Sequence, residues 1–386
     1  MRLQNIVLFI ASILLIISNI LLFNLSSYFL QFSLNCFFWR LDFYLNNYIL
    51  FRTRLYNNCI KITSSKFAEL VLIRFSTLRI NKYIAFIFFK NDRKLIFVKP
   101  NTEKEAVYLL NNSNGISRIL GGGTDVLVQM RSGIIEPELI VDIKNIPGIR
   151  KINEINGGYE IGAAVSGSEF NNYPGLKEFA PGIAEAFDLI GSSQIQGRCT
   201  LAGNICNASP AADTAPALSA SKCRVKIVGP NGFREDLVSN IPISPGKNSL
   251  KKGEFIKSII IPKRPLYSSD SYVRFTPRSE MDIAVVSAAC FITLDKDKFI
   301  KELNISLGAV APVVVNVTGI NELVMNNNLN DDLLSQISII CSSSCDPIDD
   351  KRGTIEFRNH VAGVLAKRAI ILAHSRAGDK IEKIAR

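Results

Sequence analysis

Two glycine turns of matching design constrain this chain more than any other feature. They are Gly121-Gly122-Gly123-Thr124-Asp125 and Thr200-Leu201-Ala202-Gly203-Asn204, the second running on through Asn207-Ala208-Ser209-Pro210-Ala211-Ala212-Asp213. Each follows a run ending in an aliphatic or small residue and precedes a new apolar stretch, which predicts a tight bend with bare backbone amides facing outward. Without a Cβ the main chain can approach an anion, and successive N–H groups form a concave nest around it. Two such turns about eighty residues apart point to one long diphosphate ligand held from two sides.

The first turn has a rival explanation. Gly121-x-Gly123 on a strand-to-helix bend, with Asp142 about twenty residues further on, imitates the dinucleotide site of a Rossmann fold. The imitation fails at the third glycine position, which is Val126, and the helix that follows would have to stop by Gly133.

Around these turns the pattern predicts a small α/β lobe and then a second lobe. The first has a helix capped by Thr102, with Ala106, Leu109 and Leu110 on its buried face, and strands at Ile116 to Leu120 and Leu139 to Ile143. The second has a strand at Tyr159 to Ala163, a helix from Ala184 to Ile190, and strands near Val225 to Val228 and Phe255 to Ile261. Pro262-Lys263-Arg264-Pro265 reads as a linker, because closely spaced prolines disfavour helix and central strand alike. Beyond it, Ala284 to Leu294 and Leu303 to Val310 read as antiparallel strands. Helices are expected at Ile320 to Met325, Leu329 to Cys341 and Thr354 to Ala373.

The formal charge of +11 raises nucleic acid as a partner, so its location matters. Up to Ile96 there are 12 Lys and Arg against 3 Asp and Glu; the remainder has 33 against 31. A polyanion-binding domain carries its basic stripe on the folded body, and this body is nearly neutral, which excludes nucleic acid. The eight cysteines form no CxxC pair, and no set of four thiolates has cluster spacing, so they read as reduced thiols and small core residues. The two histidines, His360 and His374, fall in the last helix region, far from both turns. No catalytic side chain and no metal site is expected.

Residues 1–95 are atypical. Ile6 to Leu30 is nearly all apolar and, at about 1.5 Å per residue, long enough to cross a bilayer core of about 30 Å. Two readings follow: a membrane segment over 6–30, or a gene-model artefact in which the reading frame runs upstream through AT-rich sequence. The artefact is preferred, although no methionine lies between Met1 and Met130 to serve as a later start. Either way the body is expected in the cytoplasm.

The two turns stand in order with Ile190-Gly191-Ser192, Gln194-Ile195 and Ser209-Pro210-Ala211-Ala212-Asp213-Thr214-Ala215-Pro216. Further on come Arg278 with Asp282-Ile283-Ala284, Leu307-Gly308-Ala309-Val310-Ala311-Pro312, and Asp350-Lys351-Arg352-Gly353 followed by Phe357-Arg358. From about Ile96 to Ala373 the chain thus resembles the flavin subunit of the molybdenum hydroxylases, the family of xanthine dehydrogenase and aerobic carbon monoxide dehydrogenase. That resemblance implies an α+β fold: a two-lobed FAD-binding domain of the PCMH type over 96–265, with lobes 96–152 and 153–265, then a C-terminal antiparallel sheet with helices over 270–376. It implies FAD as the cofactor, with Gly121, Gly122, Gly123, Thr124, Asp125 and the adjoining Val126 around the diphosphate and Thr200, Gly203 and Asn204 approaching from the other side.

By the same resemblance, Asp213 accepts from a sugar or ribityl hydroxyl, or else caps the next helix. Phe255 and Ile256 lie along the flavin or adenine, or else belong to the core. Arg274 stands near the flavin's polar edge, where the family commonly has lysine, and Lys247 lies on a loop that covers the flavin. Arg278 with Asp282 reads as a structural ion pair. The implied partners are an iron–sulfur subunit and a molybdopterin-binding large subunit, in a hetero-oligomer such as a dimer of heterotrimers. NAD⁺, oxygen or another acceptor receives the electrons. Two alternatives remain: a free-standing FAD-dependent oxidoreductase, and a membrane-anchored protein whose flavin lobe has decayed.

Overall fold

The strand β12 (Val286–Leu294) is buried at every position. An antiparallel strand with one wet face alternates, so a continuous apolar strand must be covered on both sides. Its side chains divide by parity, as the period of two requires. Ala289 and Phe291 enter one hydrophobic core, whereas Val286, Ala288, Cys290, Ile292 and Leu294 enter another. The sheet containing β12 is therefore a wall between two cores.

The computed structural model describes residues 95–278 and 281–385. The apolar stretch over 6–30, read either as a membrane segment or as a gene-model artefact, lies outside them. Among the described residues no helix is long and apolar enough to cross a membrane.

Three sheets carry the chain. In the first, β1 (Ile96–Val98), β2 (Ser117–Leu120) and β3 (Leu139–Asp142) run parallel in the order β1-β3-β2. Helix α1 (Glu103–Asn112) begins at Thr102, whose hydroxyl accepts from the Glu105 N–H, and α2 (Val126–Arg131) follows the glycine turn. Its six residues are too few for a Rossmann helix, in keeping with the Gly133 break.

The second sheet is antiparallel and orders β4 (Ile152–Ile155), β5 (Gly158–Gly162), β10 (Phe255–Ile261), β6 (Arg224–Gly229) and β7 (Gly232–Leu237) as β4-β5-β10-β6-β7. Between β5 and β6 come α3 (Gly167–Asn171), α4 (Leu176–Phe179), α5 (Pro181–Asp188), α6 (Ser193–Gln196), α7 (Leu201–Asn207) and α8 (Thr214–Ala220). The pair β8 (Pro242–Ser244) and β9 (Lys247–Asn248) forms a small hairpin, so Lys247 starts a strand of its own.

The third sheet orders β11 (Ser268–Phe275), β12, β13 (Ile300–Gly308) and β14 (Val315–Asn316) in sequence, all antiparallel. Helices α5 and α8 pack on one face. The other face is covered by α11 (Ile355–Ala385), backed by α10 (Asp331–Ser343); the short α9 (Ile320–Val324) packs beside β13. Buried Arg358 ties the C-terminal segments together: its guanidinium donates to the Val285 carbonyl at 2.7 Å, the Ala309 carbonyl at 3.1 Å and the Asp350 carboxylate at 2.7 Å.

Candidate functional site

The first glycine turn leaves the top of the parallel sheet, directly after β2. Among the described residues, none of the main-chain N–H groups of Gly122, Gly123, Thr124, Asp125 and Val126 has a hydrogen-bond acceptor. Gly123 sits at φ +87°, a conformation costly for any residue with a Cβ. At Gly122 the requirement is closeness: a Cβ there would lie 2.0 Å from the Arg198 carbonyl oxygen. Gly122 therefore owes its lack of a side chain to the approach of another main chain. Asp125, at the N-terminus of α2, makes no side-chain cap. Though open to solvent, its carboxyl is raised above the ordinary value by the protein that withdraws part of its water.

Arg198 belongs to the segment leading into the second turn, so the two turns meet. Thr200 Oγ1 would stand 3.4 Å from a Cβ on Gly121. The second turn itself is not the bare bend that its sequence suggests. Thr200 is the N-cap of α7: its hydroxyl accepts from Gly203 N at 2.9 Å and its carbonyl from Asn204 N at 3.0 Å. The Gly203 amide is thereby satisfied, and a Cβ on Gly203 would lie 2.9 Å from the capping oxygen. Ala202 lies inside this helix, where negative φ suits alanine.

Hydrogen bonds carry the site onward from α7. Asn204 Oδ1 accepts from Thr214 Oγ1 at 2.6 Å, which fixes the start of α8 and with it Asp213. Asp213 occupies the N-cap position of α8 but caps nothing with its side chain. Its carboxylate takes the Tyr272 hydroxyl at 2.7 Å, and Arg274 Nη1 stands 3.0 Å from each oxygen. Burial raises the Asp213 carboxyl from its ordinary value, while the charge of Arg274 and the bond from Tyr272 pull the other way. Burial and the adjacent Asp213 charge raise the Tyr272 hydroxyl well above its usual range. Arg274 is thus committed to Asp213.

Phe255 and Ile256 fall behind this strip, 1% and 3% exposed in the core on β10. Their side chains pack into the hydrophobic core shared by the second and third sheets. Arg278 and Asp282 pair at 3.2 Å on the surface, with the Arg278 side chain 76% exposed.

Four participants were not evident in the sequence. Lys144 Nζ lies 3.2 Å from the Gly121 carbonyl oxygen and 2.6 Å from Asp142 Oδ1. Gln129 donates to Asn207 Oδ1 at 2.9 Å, closing α2 onto α7. Tyr272 does carry a signal, since it stands two residues before Arg274 on a strand and shares its face. Cys199 packs behind the first turn, its thiol pushed up to about 11 by burial and further by the Asp125 charge.

A run of unpaired amides can take the oxygens of an anion, and their chemistry fits the diphosphate of a dinucleotide cofactor. Two family profiles match the chain in order. "FAD binding domain in molybdopterin dehydrogenase" matches residues 90–264, and "CO dehydrogenase flavoprotein C-terminal domain" matches residues 271–373. The xanthine dehydrogenase FAD-binding subunit of Escherichia coli O157:H7 is 29% identical over 283 residues, covering 73% of this chain and 96% of that protein. The carbon monoxide dehydrogenase medium chain of Hydrogenophaga pseudoflava is 27% identical over 279 residues, with 72% and 96% covered. Among solved structures, reconstituted CO dehydrogenase from Oligotropha carboxidovorans superposes with a TM-score of 0.70 at 25% identity, over 73% of this chain and 98% of that one.

Fold, site and relatives define an FAD-dependent flavoprotein of the oxidoreductases. The chain belongs to the FAD-binding medium subunits of the molybdenum hydroxylase family, alongside the xanthine and carbon monoxide dehydrogenase subunits.

Proposed function

We propose that this chain is the electron-transfer subunit of a molybdenum hydroxylase complex. It receives electrons from an iron–sulfur subunit, which a molybdopterin-binding large subunit feeds, and delivers them to NAD⁺ or another acceptor. The complex is a hetero-oligomer, such as a dimer of heterotrimers, in the cytoplasm. FAD, when bound, supplies the exchange between one-electron donors and a two-electron acceptor.

The observation that carries this reading is the run of five unpaired amides from Gly122 to Val126, butted against the Thr200 cap. These amides and the Thr124 hydroxyl hold the diphosphate, with Gly121, Thr200, Gly203 and Asn204 forming the facing wall. Asp213 and Arg274 set the far end of the strip as a neutral pair. Phe255 and Ile256 support it from the core. We divide the body into an FAD-binding domain over 96–265, whose lobes are 96–152 and 153–265, and a C-terminal domain over 270–376; the changes of sheet near these bounds support that division.

Purification of the full chain through a tag after Arg386, with visible spectra and mass analysis of whatever accompanies it, tests the proposal. A yellow protein that releases FAD on denaturation and brings iron–sulfur and molybdopterin-binding subunits supports it. Colourless protein that takes up no added FAD refutes it, and a lone flavoprotein that turns over a small substrate by itself identifies a free-standing oxidoreductase instead.

A further inference from the structure

We propose that Lys144 is a positioning residue for the anion-binding turn: it holds and polarises the Gly121–Gly122 peptide so that the Gly122 N–H serves the run of free amides. This inference rests on the reading of that run as the grip on the FAD diphosphate.

The geometry is local and complete. The parallel register pairs Leu120 with Asp142, which sets Gly121 beside the chain that follows β3. There Asp142 accepts from the Lys144 backbone N–H at 3.2 Å and pairs with its ammonium at 2.6 Å. The ammonium is thus fixed at a point 3.2 Å from the Gly121 carbonyl oxygen. The Lys144 side chain is 27% exposed and that of Asp142 8%, so the contact is partly withdrawn from water.

In a trans peptide the carbonyl and the N–H of one plane point in opposite directions, and the structure has no cis peptide among the described residues. Holding the Gly121 oxygen toward Lys144 therefore turns the Gly122 N–H away from it. A cation on the carbonyl also draws electron density along the amide and makes its N–H a stronger donor. The other flank of Gly122 is closed by the Arg198 carbonyl, which leaves little room for the peptide to rotate. Lys144 acts through this peptide. Its own charge is already engaged by Asp142.

The test is to strip flavin from the full-length protein and titrate it back with FAD, in wild type, Lys144→Met and Lys144→Arg. Loss of the ammonium in Lys144→Met is expected to weaken FAD binding about tenfold, and Lys144→Arg to restore most of it. The thermal midpoint of flavin-free Lys144→Met is expected to fall by several degrees, because the buried Asp142 carboxylate loses its counter-charge, so FAD is titrated well below that midpoint, where the variant is folded. The tenfold gap persists at about 0.5 M salt, where a through-space attraction between Lys144 and a phosphate would be screened. Unchanged affinity in Lys144→Met, or a gap that closes in salt, overturns this inference and leaves the cofactor reading intact. A wild-type chain that binds no FAD overturns both.

Discussion

Arg274 Nη1 stands 3.0 Å from both carboxylate oxygens of Asp213, across 61 residues of sequence. The contact pins the end of β11, in the third sheet, to the start of α8, whose buried side chains enter the core shared with the second sheet. With side chains only 8% and 12% exposed, neither charge has water to fall back on. Arg274→Met leaves a buried carboxylate with only Tyr272 to satisfy it, a change that typically costs about 3–5 kcal/mol. Urea unfolding of the full chain measures that loss. Because burial already raises the Asp213 carboxyl, the folded variant binds a proton more readily than the unfolded chain. Its stability is therefore expected to fall as pH rises above the unfolded value of about 3.9 and through the raised folded value. Equal midpoints for variant and wild type would mean that the ion pair does not support the fold.

What could be read in advance follows how local each feature is. Gly121 to Asp125 announces itself, because three glycines between a strand and a helix leave few conformations. Thr200-x-x-Gly203 reads as a second bare turn, but a threonine three residues before an amide is also a capping geometry, and the hydroxyl claims the Gly203 N–H. Lys144 depends on the β2–β3 register, and the meeting of Asp213 with Arg274 depends on how α8 packs on the third sheet; no window of sequence holds either. Phe255 and Ile256 illustrate a different limit. A short apolar strand looks the same whether it lines a ligand or fills a core, and how deeply its side chains are buried depends on its place between β5 and β6.

Gly122→Ala tests whether the two turns need to touch. The new Cβ would lie 2.0 Å from the Arg198 oxygen and 2.8 Å from the Arg198 carbonyl carbon, both backbone atoms that cannot swing aside. The turns must separate, which is expected to cost about 1–3 kcal/mol as overpacking does and to weaken FAD binding at the same time. Unfolding curves and FAD titration on one preparation report both effects. An alanine variant that keeps wild-type stability and affinity would show that the turns can part without consequence.

Gly378→Ala is the complementary case. Gly378 lies within α11, with nothing inside 4 Å of the place a Cβ would take, and its φ is not in the left-handed region. Alanine there removes backbone freedom from the unfolded chain and adds no clash. A gain of about 0.5–1 kcal/mol is expected, with flavin binding unaffected because the helix lies across the third sheet from the glycine turns. A loss of stability would mean that the space beside Gly378 is needed.

Asp270 predicts how the fold responds to acid. It is 2% exposed on β11 and gathers the Gly182 N–H of α5 at 3.1 Å, both Nη atoms of Arg264 at 2.8 and 2.9 Å, and the Ser221 hydroxyl at 3.3 Å. Arg376 of α11 donates to its backbone carbonyl at 2.9 Å, so one residue joins the linker, α5 and α11. Burial alone would raise its carboxyl, yet the charge of Arg264, the bonds from Arg264 and Gly182, and the charge of Arg376 outweigh it and hold the carboxyl below its ordinary value. The unfolded chain then takes up the proton first. Stability from this group is complete above the unfolded value of about 3.9 and drains away as pH falls through the lower folded value. Asp270→Asn leaves Arg264 buried without its counter-charge, at an expected cost of about 3–5 kcal/mol near neutrality. The variant should also lose less than wild type on going from about pH 5 to about pH 3, because its own acid-sensitive contribution is gone. Urea midpoints measured for both proteins across that range decide the matter, and parallel curves would mean that Asp270 is not the group that acid reaches.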